Sequence, residues 1–476
     1  MMGLHFLPEI ILLVIGAVLL CATLVSSSVQ KVTAFTKSFM ALSSALLVAA
    51  CLMTLKNHTD LFYSTYRVDL FSQGFKFLLS LAYLFTILFS EVLISIPEKR
   101  RTEFYLFISS ALLGMMLLAS AVHVLTFYVS LELSSYSLYL LAALGKEKRS
   151  AEAGVKYILF GAAASGILLW GLSLLVGISG TGSLDEIARN IPSLMSQPAF
   201  TAGFVLVILS FLFKLSVFPM HFWAPDVYES SATPVTAFIA TASKAAAAAI
   251  LIRFLICMEI SASFAWILGA AAFFSMALGN CAALLQKNVK RLLAYSSIAQ
   301  GGYLLLGLLA GSFEGYSSAY FYAFAYVLMN AGAFLAVTVV AEAAGNDDPL
   351  IQDFDGLADR SPFLALILLL SLLSLAGIPP LVGFTGKWIL FSAAMEKGHW
   401  FLVLWGVLNS VVSLFYYLTV IKHAYLEKPK DTSPIRLTAR MKVLGIFLFA
   451  ALVFLGIFPN TLITFARDAV AAGFIR

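Results

Sequence analysis

The sequence predicts an all-α polytopic membrane protein of about 14 transmembrane helices, with two inverted five-helix repeats and two discontinuous helices. Three observations lead there. Of 476 residues, 61% are hydrophobic and only 12% charged, against about 25% charged in a soluble domain; mean hydropathy is +0.95. The apolar residues fall into runs of the length that spans a bilayer, about 20 residues, divided by charged or Gly/Pro-rich breaks. Two of these runs are interrupted by prolines. The composition excludes a cytosolic enzyme, a disordered chain and a nucleic-acid binder.

Residues 1–476 read as one membrane domain. Helices 1 to 3, near 6–26, 34–55 and 69–96, occupy residues 1–101. The N-terminal run has no basic residues ahead of it and reads as a retained first helix, not a cleaved signal peptide. Helices 4 to 8, near 102–120, 122–144, 152–179, 199–225 and 233–258, make a first repeat over 102–258. Almost nothing divides helices 4 and 5, but their combined length demands two crossings. Helices 9 to 13, near 262–285, 290–311, 315–345, 361–395 and 399–426, make a second repeat over 262–426. Helix 14 lies at 441–465.

Charge tests this order. One set of loops holds 16 Lys and Arg, the opposite set 6. The positive-inside rule puts the first set in the cytoplasm and both termini on the outer side; in a bacterium this is the periplasmic side of the inner membrane.

Helix 7 contains VFPMHFWAPDVY with Pro219 and Pro225; helix 12 contains GIPPLVGFTGKW with Pro379 and Pro380. Proline removes a backbone donor and clashes with the preceding turn, and the freed groups must be satisfied within protein or by water. The breaks lie five helices apart, an odd number, so repeats of helices 4–8 and 9–13 have opposite orientation.

Glu132, Lys214, Lys244 and Lys387 lie deep in helices 5, 7, 8 and 12. Each would cost about 2.5–3.5 kcal/mol facing lipid, so they must face the bundle interior. One ion-pair staple, such as Glu132 with Lys214, leaves surplus lysines. Burial disfavours a charged amine and a nearby carboxylate restores it, so the set reads as a proton relay. His221, in the break of helix 7, is a candidate proton carrier. Lys156 lies about one turn inside helix 6. Asp226 and Tyr228 read as capping the break. Lys290 and Arg291 open helix 10 and read as wet, topology-setting charges; Ser296, Ser297 and Gln300 behind them are suited to ordering water. Cys21, Cys51, Cys257 and Cys281 form no CxxC pair and read as small buried apolar residues. The chain has no iron–sulfur or nucleotide motif, and no metal site is expected.

The spacing of Lys214 from Pro219 and His221, Lys244 thirty residues on, KRLLAYSSIAQGGY and GIPPLVGFTGKW together resemble the antiporter-like membrane subunits of respiratory complex I and the related Mrp cation/proton antiporters. The resemblance runs over roughly residues 5–465. Within the family the chain is most similar to the N-type subunit of proton-pumping NADH–quinone oxidoreductase. The L-type carries a long C-terminal lateral helix, and the M-type has a glutamate where this chain has Lys387. A D-type Mrp subunit is the alternative, and a purely structural scaffold would leave the deep charges unexplained.

The resemblance implies a translocase subunit without redox chemistry of its own. Glu132 matches the helix-5 glutamate, Lys214 its helix-7 partner, Lys244 the central lysine and Lys387 the helix-12 lysine toward the exit. His221 and Lys156, with Glu152, match further family positions. The resemblance also places NADH, FMN, iron–sulfur clusters and quinone in other subunits. It implies M-type and L-type antiporter-like subunits and small K-type and J-type subunits as partners, beside the lipid bilayer, and no nucleic acid.

Overall fold

A computed structural model describes residues 2–25, 29–90, 93–258, 262–429 and 431–474. Among them, thirteen helices are long and apolar enough to cross a membrane. The remaining crossing is helix 12, divided into Pro362–Ala376 and Val382–Glu396. Helix 7 is likewise divided, into Pro198–Leu215 and Trp223–Ser230.

Burial orders the bundle. The central stretches of helices 8 (Thr233–Met258) and 11 (Phe313–Ala344) are wholly buried, and that of helix 10 (Val289–Leu309) nearly so. They are apolar all round because protein surrounds them. Helices 1, 2, 6, 13 and 14 lie outside, with rows of exposed Leu, Val and Phe suited to lipid. Close approach needs small residues: a Cβ on Gly171 of helix 6 would meet the Gly203 carbonyl of helix 7 at 2.8 Å.

Two helix boundaries differ most from the sequence expectation, and one element was not expected. Helix 3 stops at Phe89 instead of 96, where Ser90 ends the turn. Helix 14 is Ala439–Ile457, not 441–465; after Pro459 a separate helix, Asn460–Phe474, packs against helices 3 and 11. The apolar Leu462, Ile463 and Phe465 extend the run past Pro459 and hide the boundary. An antiparallel ribbon, Thr59–Leu61 with Tyr66–Val68, joins helices 2 and 3. Three-residue strands are too short for a period-2 pattern to show.

The chain alternates between two ends. At one, Arg67 of the ribbon pairs with Asp60 and Asp185; at the other, Asn288 pairs with Leu350 as an isolated bridge and Lys146 N donates to Ser95 O. Cys21 and Cys281 are exposed on helix surfaces, contrary to expectation, while Cys51 is buried; an exposed thiol needs no polar partner against lipid.

Candidate functional site

The two breaks share one backbone motif. In helix 7, Ser216 adopts the left-handed region (φ 50°), and Val217 N–H reaches back to Leu212 O at 3.0 Å. In helix 12, Gly377 does the same (φ 90°), and Ile378 N–H reaches Leu373 O at 3.0 Å. This is the six-to-one bond of a Schellman cap. Pro219, Pro379 and Pro380 follow immediately, where a helix cannot resume without losing a donor.

A helix end leaves carbonyls without partners and carries partial negative charge. Lysines occupy both ends. Lys244 Nζ donates to Leu215 O at 2.5 Å and to Ser216 Oγ. Lys387 Nζ donates to Ala376 O at 3.0 Å and to Ser410 Oγ at 3.3 Å, 4.4 Å above the Tyr303 ring. Both lysines are 4% exposed. Lys244 follows a π-helical turn, Ile239–Ser243; a π turn inserts one extra residue and so resets which way the following helix faces.

Lys214, in the last turn before the helix 7 break, donates to Ser135 Oγ of helix 5 and lies 5.9 Å from the Tyr139 ring. Glu132 is one turn from Ser135, and its Oε1 is buried without a partner. The expected Glu132–Lys214 ion pair does not form: the Ser135 hydroxyl, one turn along helix 5 from Glu132, accepts from the ammonium instead. His221 is buried in the break, 4.2 Å from the Phe222 ring, with Nδ1 unpartnered.

Lys156 belongs to a different arrangement. It pairs with Glu152 at 2.9 Å and Asp226 at 3.0 Å, and its side chain is 41% exposed. Asp226 also accepts from Arg291 at 2.9 Å, so it ties helices 6, 7 and 10 together instead of capping the break. Lys290 departs most from expectation: it is 1% exposed, not wet, and donates to Ser231 O at 2.8 Å.

Gln300 connects the two lysine sites. Its Nε2 donates to Leu375 O at 2.9 Å, the carbonyl beside the Ala376 oxygen that holds Lys387, and its Oε1 accepts from Tyr322. Gln300 and Tyr322 also line a cavity of about 20 Å3 against Lys244, room for one water. Tyr303, Tyr322 and Tyr417, whose hydroxyl accepts from Gln300 Nε2 at 3.4 Å, escaped the sequence reading, since an aromatic in an apolar helix looks the same whether its hydroxyl serves packing or a network.

The family described as "NADH:quinone oxidoreductase/Mrp antiporter, TM" matches residues 121–413, which hold both breaks and the deep charges. NADH-quinone oxidoreductase subunit N 2 of Syntrophobacter fumaroxidans is 46% identical over 432 residues, 90% of this chain and 91% of that one. The chain belongs to the subunit N family of NADH-quinone oxidoreductase. Consistent with the subunit N family, a chain in respiratory complex I from Thermus thermophilus with bound aureothin is 32% identical, with TM-score 0.81 over 96% of this chain and 98% of that one. A chain of the Mrp complex from Dietzia sp. DQ12-45-1b shares the fold, at TM-score 0.87 and 20% identity over 99% of this chain and 97% of that one.

Proposed function

We propose that the chain is a non-redox, proton-translocating subunit of NADH–quinone oxidoreductase, in which Glu132, Lys214, Lys244 and Lys387 relay protons across the membrane. One observation carries this reading: the ammonium groups of Lys214, Lys244 and Lys387 are held by carbonyl and hydroxyl oxygens, whereas the buried Lys76 is paired with the Glu9 carboxylate at 2.9 Å. A lysine kept for its charge would have a counter-ion; one held by neutral acceptors can release its proton and keep a hydrogen bond. His221 stands beside this path, while the more exposed Lys156–Glu152 pair is peripheral to it.

Under this reading the basic-rich loops face the cytoplasm of a bacterial inner membrane and both termini face the periplasm. Protons pass Lys214 and Lys244, cross near Gln300, and leave by Lys387. Helices 4–8 and 9–13 are the two inverted repeats, in keeping with the shared cap at both breaks. NADH, FMN, iron–sulfur and quinone chemistry belongs to other subunits, and the neighbours are M-, L-, K- and J-type membrane subunits. Each proton works against about 2.3 kcal/mol per 100 mV. A hundredfold change in a lysine's proton affinity is about 2.7 kcal/mol, so the magnitudes are compatible.

The test is Lys244→Ala in the assembled complex. Proton uptake by vesicles energised with the natural donor should collapse while the complex still assembles on native gels. Full pumping by an assembled variant would remove Lys244 from the relay. Purification of the chain in a colourless assembly, without flavin or iron–sulfur clusters, would point to a cation/proton antiporter instead.

A further inference from the structure

The buried Lys290 is unused by the relay above, and it does not sit alone. At the end of the bundle rich in basic loops, a second cavity of about 30 Å3 reaches Lys290 from the surface, again enough for a water. Its outer rim carries Asp347 and Asp348, both partly exposed. Glu147 and Glu229 also face the Lys290 ammonium. Burial raises the Asp348 carboxyl from its ordinary range, so it holds a proton more readily than a free aspartate. Inside the cavity, Ser231 Oγ is buried and has no hydrogen-bond partner.

Unpartnered buried hydroxyls continue inward from there. Tyr228, three residues before Ser231 on the same segment, is fully buried with its OH unsatisfied. Ser297, seven residues after Lys290 and so on the same face of helix 10, lies beside it; its Oγ donates to Ala294 O at 2.8 Å and is left able to accept. The two positions are about 10 Å apart along the helix. Tyr326 OH, also unsatisfied, lies beside Ser297 as well and lines the Lys244 cavity, as Ser297 itself does. Buried polar atoms without protein partners mark positions of ordered water. Such atoms run here from a carboxylate-rimmed mouth to Lys244.

We propose that Lys290 is the proton-uptake residue of this chain: its neutral amine takes a proton from water at the Asp347/Asp348 mouth and passes it, through waters held by Tyr228, Ser297 and Tyr326, to the neutral amine of Lys244. One proton moves and no electrons do; the donating water is reprotonated from the cytoplasm through the rim carboxylates. This inference rests on the proposed relay through Lys244.

The experiment uses the whole complex in vesicles energised by its natural donor, with Lys290→Met, Lys290→Arg and Lys244→Ala compared for assembly and initial proton uptake. Arginine keeps a cation donating to Ser231 O but does not release its proton, so a merely structural lysine would be replaced without loss. Uptake in an assembled Lys290→Arg variant should fall to about a tenth or less, a barrier increase of about 1.4 kcal/mol. Normal uptake with Lys290→Arg, while Lys244→Ala is inactive, overturns this inference alone. Normal uptake with Lys244→Ala overturns the relay beneath it. If neither Lys290 variant assembles, Tyr326→Phe decides by the same uptake measurement, reduced uptake supporting the path and normal uptake overturning it.

Discussion

Ser216 allows the strain of the helix 7 break to be separated from its chemistry. It adopts the left-handed region that glycine favours (φ 50°, ψ 47°), a conformation that costs an L-residue about 1–2 kcal/mol. Gly377 supplies the same turn in helix 12 without that strain. A serine at the strained position has one evident compensation, the hydroxyl that accepts from the Lys244 ammonium; a hydrogen bond to a charged group contributes about 1.5–3 kcal/mol. Ser216→Gly relieves the strain and loses the bond, a net loss of roughly 0.5–1 kcal/mol. Ser216→Ala loses the bond and keeps the strain, and should fall about 1 kcal/mol lower still. The expected stability order is therefore Ser, Gly, Ala, measured as the fraction of intact complex surviving graded heating. Both variants should slow proton uptake, because Lys244 keeps only Leu215 O as its acceptor. A glycine variant more stable than the parent and pumping normally would refute the argument, since the hydroxyl would then hold nothing.

Arg253, nine residues beyond Lys244 on helix 8, makes two bonds to Asp69 at 2.9 and 3.0 Å, both residues buried. Asp69→Asn retains the cap to Ser72 N but breaks the ion pair, and should destabilise the assembled subunit by about 3–5 kcal/mol; unchanged heat survival would count against it. Gly383→Ala would put a Cβ 1.8 Å from Ser374 O across the helix 12 break, so the variant should fail to accumulate in membranes, and normal accumulation would mean the break is loose. Lys387→Met should assemble but pump poorly, as seen by proton uptake per quinone reduced, whereas Lys156→Ala, which removes a partly exposed, solvent-screened pair, should pump nearly as well as the parent.

Some of this was legible in residues alone because it depends on local composition. The prolines at 219 and 379 announce where two helices cannot continue. The distance of Lys244 from either end of its run rules out reaching the membrane surface. Other features were not legible. Lys290 and Lys156 both stand within a turn or two of a helix start, and hydropathy treats them alike; one proves 1% exposed and the other has a side chain 41% exposed. Helix 7 and the loop after helix 11 close over the first. Asp226 reads as a capping residue, yet it joins helices that begin over 60 residues away in either direction.

The sequence by itself determined that the chain lies in a membrane, roughly where its crossings fall, where two of them break and that Lys244 lies too far from either end of its run to reach the surface. Each follows from the free energy of transferring a short run of residues into hydrocarbon, a quantity the run carries within itself. Only the tertiary structure decided what each charge meets. The Schellman turns aim Leu215 O and Ala376 O at Lys244 and Lys387, Ser135 takes the place of Glu132 against Lys214, and Gln300 joins the two breaks. Those contacts depend on the rotation and approach of helices far apart in the chain, and a π turn that shifts a helix face by one residue leaves no mark in hydropathy.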